Sequence, residues 1–76
     1  MEQKIIELLN KLHPEADVTK DVRLVDDGVL DSLDIVTLVT ELNAAFDIAI
    51  PAVEILPMNF NSVEALAAMI ERLEDV

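Results

Sequence analysis

The sequence predicts an all-α bundle with three main helices, one short helix and a long first loop. Three stretches repeat their apolar residues at helical spacing, and none alternates as a strand would. The prolines stand at the ends of periodic runs rather than inside them. At 76 residues there is room for one domain, so residues 1–76 are read as a single unit with a modest core.

In residues 2–13, Ile5, Leu8, Leu9 and Leu12 line one helix face. Pro14 ends that helix, because the residue before a proline is pushed out of the helical region. His13 then falls in the last turn, where a cation is mildly favoured, and a helix-end role is expected of it. Residues 14–30 form a long connection containing Val18, Val22, Leu24, Val25, Val29 and Leu30. A loop this apolar is expected to lie across the core. Gly28, the sole glycine, suits a turn that needs positive φ.

Asp31 is expected to cap the second helix, and Asp34 suits the positive helix start three residues on. The helix should run to about Phe46, with Ile35, Leu38, Val39, Leu42 and Phe46 facing the core. Leu33 and Val36 lie beside that stripe, next to Ser32. They are either an apolar flank left outside or a pair partly buried under the preceding loop. Ile50-Pro51 reads as the start of a short helix that Pro57 stops. Asn61 or Ser62 caps the last helix, with Glu64 completing a capping box from Asn61. Its buried face is Val63, Leu66, Ile70 and Leu73.

Five basic residues against sixteen acidic ones give a net charge of −11. Between Arg23 and Arg72 there is no Lys or Arg, and nine acids stand in that interval. Such a field repels nucleic acids and anionic membranes and favours partners with a basic docking patch. The 53% apolar content argues against disorder. No apolar run reaches the length of a membrane span, and the start lacks a signal-peptide layout. A cytoplasmic monomer is expected, with no nucleic-acid binding and no membrane insertion.

The chemistry available is narrow. Cysteine is absent and histidine occurs once, which removes disulfides, thiolate nucleophiles and most histidine-based metal or triad arrangements. Asp26-Asp27-Gly28 invites a calcium-loop reading. With Gly28 at the sixth loop position, however, the first and third ligands would be Arg23 and Val25, so no metal site is expected. No catalytic constellation remains. Ser32 does, at a helix start where unpaired N–H groups and the helix dipole accommodate phosphate. By itself it is equally an ordinary helix-start serine.

The stretch GVLDSLDIVTLVTELNAAFDIAIP (28–51) resembles the modification region of acyl and peptidyl carrier proteins. The leading helix, long apolar loop, LDSL start, Phe-Asp followed by Ile-Pro, and last helix occur in that family's order. The resemblance implies an acyl-carrier-like four-helix bundle that is not an enzyme. It also implies that Ser32 carries a 4′-phosphopantetheine arm, placed from coenzyme A by a phosphopantetheinyl transferase. An acyl or aminoacyl group would ride on the arm as a thioester, supplied by an activating enzyme or acyltransferase. Asp31 and Asp34 would steer such partners and Leu33 and Val36 would give them a foothold, with Thr37 and Thr40 on the same helix surface. The glutamates that fatty-acid-synthase carriers place along this helix are largely missing. EILPMNFNS (54–62) is similar in spacing to a segment of D-alanyl carrier proteins, which serve teichoic acid modification. Aminoacyl or specialised acyl cargo is therefore expected over housekeeping fatty-acid synthesis, and lipid or secondary-metabolite biosynthesis is the broad setting. An unmodified carrier-like interaction module is the competing reading.

Overall fold

In the computed structural model, residues 1–15, 18 and 22–74 are described. Helix α1 spans Glu2–Leu12, α2 Ser32–Phe46, α3 Pro57–Phe60 and α4 Val63–Glu74, with a 3-10 turn at Ala52–Glu54. Among the described residues there is no strand. Helix α1 packs against both α2 and α4, and α3 packs against α4.

The predicted stripes converge on one core. Ile5 and Leu9 of α1, Leu38 and Leu42 of α2, and Val63, Leu66 and Ile70 of α4 are buried, and Met69, outside the predicted stripe, is buried with them. Ile35, Val39, Phe46 and Leu73 pack at its edge, as do Leu8 and Leu12. The described residues of the first loop do lie across the core: Val18, Leu24 and Leu30 are buried, and Val22, Val25 and Val29 pack beside them. Gly28 adopts φ 78°, the left-handed conformation its position in the sequence suggests.

Two expectations about the second half need correction. Pro57 does not stop a helix begun at Pro51. The turn that follows Pro51 ends at Glu54, and Pro57 opens α3 in its first turn. A proline lacks only an N–H that a first turn leaves unpaired anyway, and its φ is already helical. The capping box from Asn61 to Glu64 does not form either. Ser62 is the cap, its Oγ accepting from the Ala65 N–H at 3.0 Å.

Asn61 instead ties the first loop to the start of α4. Its Oδ1 accepts from the N–H groups of Val25 and Asp26, both at 3.0 Å, and its Nδ2 donates to Asp26. Its carbonyl accepts from Leu24 at 2.7 Å. Asn61→Ala would remove the side-chain acceptor from two backbone donors while leaving the backbone bond. We expect a loss of about 1–3 kcal/mol, read as a lower urea midpoint with an unchanged slope.

Candidate functional site

The site is built on the first turns of α2. Asp31 lies in extended conformation as the N-cap, and its Oδ1 accepts from the Asp34 N–H at 2.8 Å. Asp34 Oδ2 accepts in return from the Asp31 N–H at 3.2 Å, closing a reciprocal capping box. Because Asp31 supplies the cap, the helix start makes no demand on the Ser32 hydroxyl. Ser32 is exposed.

Leu33, Val36, Thr37 and Thr40 follow at i, i+3, i+4 and i+7 and share one exposed face opposite Leu38 and Leu42. Leu33 is 75% exposed and Val36 62%, so burial under the preceding loop is excluded. The hydroxyls of Thr37 and Thr40 donate back to the carbonyls of Leu33 and Val36 at 3.1 and 3.3 Å. Val53 and Met58 add a further exposed apolar pair between α2 and α4.

Asp34 differs from the rest of this group. It is only part-exposed, and its Oδ2 lies 2.8 Å from His13 Nε2. The other ring nitrogen of His13 meets Glu15 Oε1 at 3.1 Å. His13 is therefore more than a helix-end residue: it joins the end of α1 to the start of α2. Helix periodicity could not find this contact, because its partner stands 21 residues away across the long loop. The hydrogen bond to Asp34, then that to Glu15, holds the imidazole above its ordinary 6.5. Burial works against the charged form of Asp34. The hydrogen bonds from His13 and from the Asp31 backbone outweigh it and hold the carboxyl below its ordinary 3.8.

These opposite shifts define a pH window. The His13 contribution is complete below pH 6.5 and is lost as pH rises through the raised folded value. The Asp34 contribution is complete above pH 3.8 and is lost as pH falls through the lowered folded value. Thermal melts of the wild type and His13→Gln should therefore differ most between about pH 4 and 6.5, and converge as pH rises through the raised His13 value. A difference that grows toward alkaline pH would contradict the pairing.

The Asp-Asp-Gly stretch has a structural role. Asp26 accepts from Asn61, and Asp27 Oδ2 accepts from the Arg23 N–H at 3.1 Å. Among the described residues no group of three His, Cys, Asp or Glu side chains could hold a metal ion. Among the same residues no helix is long and apolar enough to cross a membrane.

A phosphopantetheine group fits the α2 start. The Ser32 hydroxyl is open to solvent, a helix N-terminus favours the phosphodiester charge, and the apolar face of Leu33 and Val36 adjoins it. Residues 2–70 match the family model described as a phosphopantetheine attachment site. The chain is 51% identical over 55 residues to aminoacyl carrier protein 1 of Bradyrhizobium diazoefficiens, covering 72% of this chain and 60% of that protein. It thus spans less than two thirds of that relative's length. It is 38% identical over 76 residues to the D-alanyl carrier protein of Streptococcus pyogenes serotype M5, covering 97% and 95% of the two chains. Among solved structures, it resembles one of a Bradyrhizobium japonicum glycine–carrier protein ligase complexed with glycylated carrier protein. That match has 42% identity and a TM-score of 0.77 over 90% of this chain and 95% of that one. A related complex, with the cognate carrier protein and an analogue of glycyl adenylate, gives 40% identity and a TM-score of 0.80 over 93% and 95%. The match to the family model takes in all four helices apart from the last turn of α4, and on that footing the chain belongs to the phosphopantetheine attachment family, whose members are non-catalytic carrier proteins bearing a covalently attached 4′-phosphopantetheine.

Proposed function

We propose that this protein is an aminoacyl carrier that holds a small amino acid on a 4′-phosphopantetheine arm attached to Ser32. The observation that carries the attachment point is the exposed Ser32 at a helix start already capped by Asp31. Attachment forms a bond from Ser32 Oγ to phosphorus. It breaks the pyrophosphate link of coenzyme A, and adenosine 3′,5′-bisphosphate leaves as the serine proton goes to a base of the transferase. The arm supplies the thiol that this cysteine-free chain lacks, so that cargo is held as a thioester. Tethering then raises the cargo's effective concentration at each enzyme that docks on α2.

The aminoacyl class is supported by the aminoacyl and glycylated carriers among the relatives. Sparse acid along α2 supports it too, with Thr37 and Thr40 where a more acidic surface would favour strongly basic partners. D-alanyl transfer is the second reading, favoured by the alignment with D-alanyl carrier protein over nearly the full length of both chains.

The test is intact-mass measurement after incubation with coenzyme A and a broad-specificity phosphopantetheinyl transferase. Glycine-activating, D-alanine-activating and malonyl-transferring enzymes are then offered separately. One arm followed by one amino acid is expected. Preferential malonyl loading would overturn the aminoacyl reading, and no first mass gain would overturn attachment altogether.

A further inference from the structure

We propose that His13 is a positioning residue that sets how much negative charge the start of α2 shows to cationic partners. Protonated, it covers Asp34. Deprotonated or displaced, it returns the full charge of that carboxylate to the surface around Ser32. The inference rests on the Ser32 reading above.

The geometry carries it. Asp34 Oδ2 is met by two donors, His13 Nε2 at 2.8 Å and the Asp31 N–H at 3.2 Å. The second belongs to the capping box and stays with α2. The first arrives from the end of another helix, so the front of α2 draws part of its charge balance from α1. The His13 and Asp34 side chains are 24% and 20% exposed, placing the contact at the edge of the surface. A partner's guanidinium or ammonium reaching that carboxylate would stand beside the imidazolium, and two cations compete poorly for one oxygen.

Among the described residues, charged groups reach the end of α1 from α2, from the following loop and from α1 itself. Asp34 faces His13 from α2, Glu15 from the loop after α1, and Lys11 occupies the last turn of its own helix, where Glu41 of α2 lines a hollow with Lys11 and Leu12. The two carboxylates hold the imidazole above its ordinary value, so a partner's cation that displaces His13 from Asp34 also loosens its proton. The coupling is reciprocal: if losing the proton improves docking, docking must weaken His13's hold on the proton.

The test compares wild type with His13→Gln as substrates of a broad-specificity phosphopantetheinyl transferase and coenzyme A, from about pH 5.5 to 8.5. Both proteins meet the same transferase, so its own titration cancels in the ratio of their KM values. Wild-type KM should exceed that of His13→Gln by about two- to fivefold at the acid end, the effect of one ion pair at the edge of the surface. The ratio should fall to about one at the alkaline end, with a kcat ratio that does not change with pH. A KM ratio flat with pH, or one below one at acid pH, overturns the proposal. An independent arm uses the wild type alone, so it does not depend on the variant folding. His13 is the sole histidine, and its imidazole resonance can be titrated with and without saturating inactive transferase. Its pKa should drop in the complex, and an unchanged or higher value overturns the proposal. Absence of any mass gain on wild type would instead strike the Ser32 reading, whereas normal modification with a flat ratio strikes this inference alone.

Discussion

Ser32→Ala is expected to abolish phosphopantetheine addition while leaving the fold intact. Every other described hydroxyl is engaged. Ser62, the one other serine, caps α4 through its Oγ, and Thr37 and Thr40 donate back into α2. The remaining hydroxyl, that of Thr19, lies outside the described residues. Ser32 is exposed, stands at the positive end of α2, and has an exposed apolar face beside it. Because Asp31 performs the capping, losing the Ser32 hydroxyl removes no helix cap. The stability change should stay within about 0.5 kcal/mol. Intact mass and a thermal melt on the same sample settle both halves. An undiminished mass gain in Ser32→Ala would move the attachment point to another residue. A collapse of the melt would show that the serine holds structure after all.

Much of this site was legible in the sequence because it is local. The Asp31 cap with Asp34 three residues later, the run to Phe46, and the aliphatic pair beside Ser32 all follow from helical spacing. Spacing also put Leu33 and Val36 off the core stripe, although only the fold could decide between exposure and cover by the loop. The features it missed depend on where the long loop returns. His13 meets Asp34, and Asn61 holds Val25 and Asp26, across separations of 21, 36 and 35 residues. Asn61 shows how a local rule misleads. Three residues before Glu64 it has the pattern of a capping box, yet its amide is spent on the loop backbone at Val25 and Asp26. Pro57 misleads similarly, since a proline both ends one helix and begins another, and flanking sequence alone does not say which. Asp34 changes meaning through the same tertiary contact: expected as a steering charge, it is also the anchor of His13.

Phe60→Ala is expected to be the most damaging single truncation for stability, costing about 3–5 kcal/mol. Phe60 ends α3 with its ring fully buried, immediately before Asn61 and the cap of α4. Removing the ring opens a cavity where α3 packs on α4, beside the residue that fastens the first loop. A chain of 76 residues has roughly 4–11 kcal/mol of total stability, so the loss is a large share of it. Leu33→Ala is the informative contrast. It also deletes a large aliphatic group, but from a side chain 75% exposed, and its cost should stay within about 0.5 kcal/mol. The two variants separate fold from function in opposite directions. Phe60→Ala should lower the urea midpoint steeply and lose modification only in proportion to the unfolded fraction. Leu33→Ala should melt like wild type and raise the KM of the transferase. If Phe60→Ala kept a near-native midpoint, the core would not be organised around α3. If Leu33→Ala were modified with unchanged KM, the exposed face beside Ser32 would not be where the transferase docks.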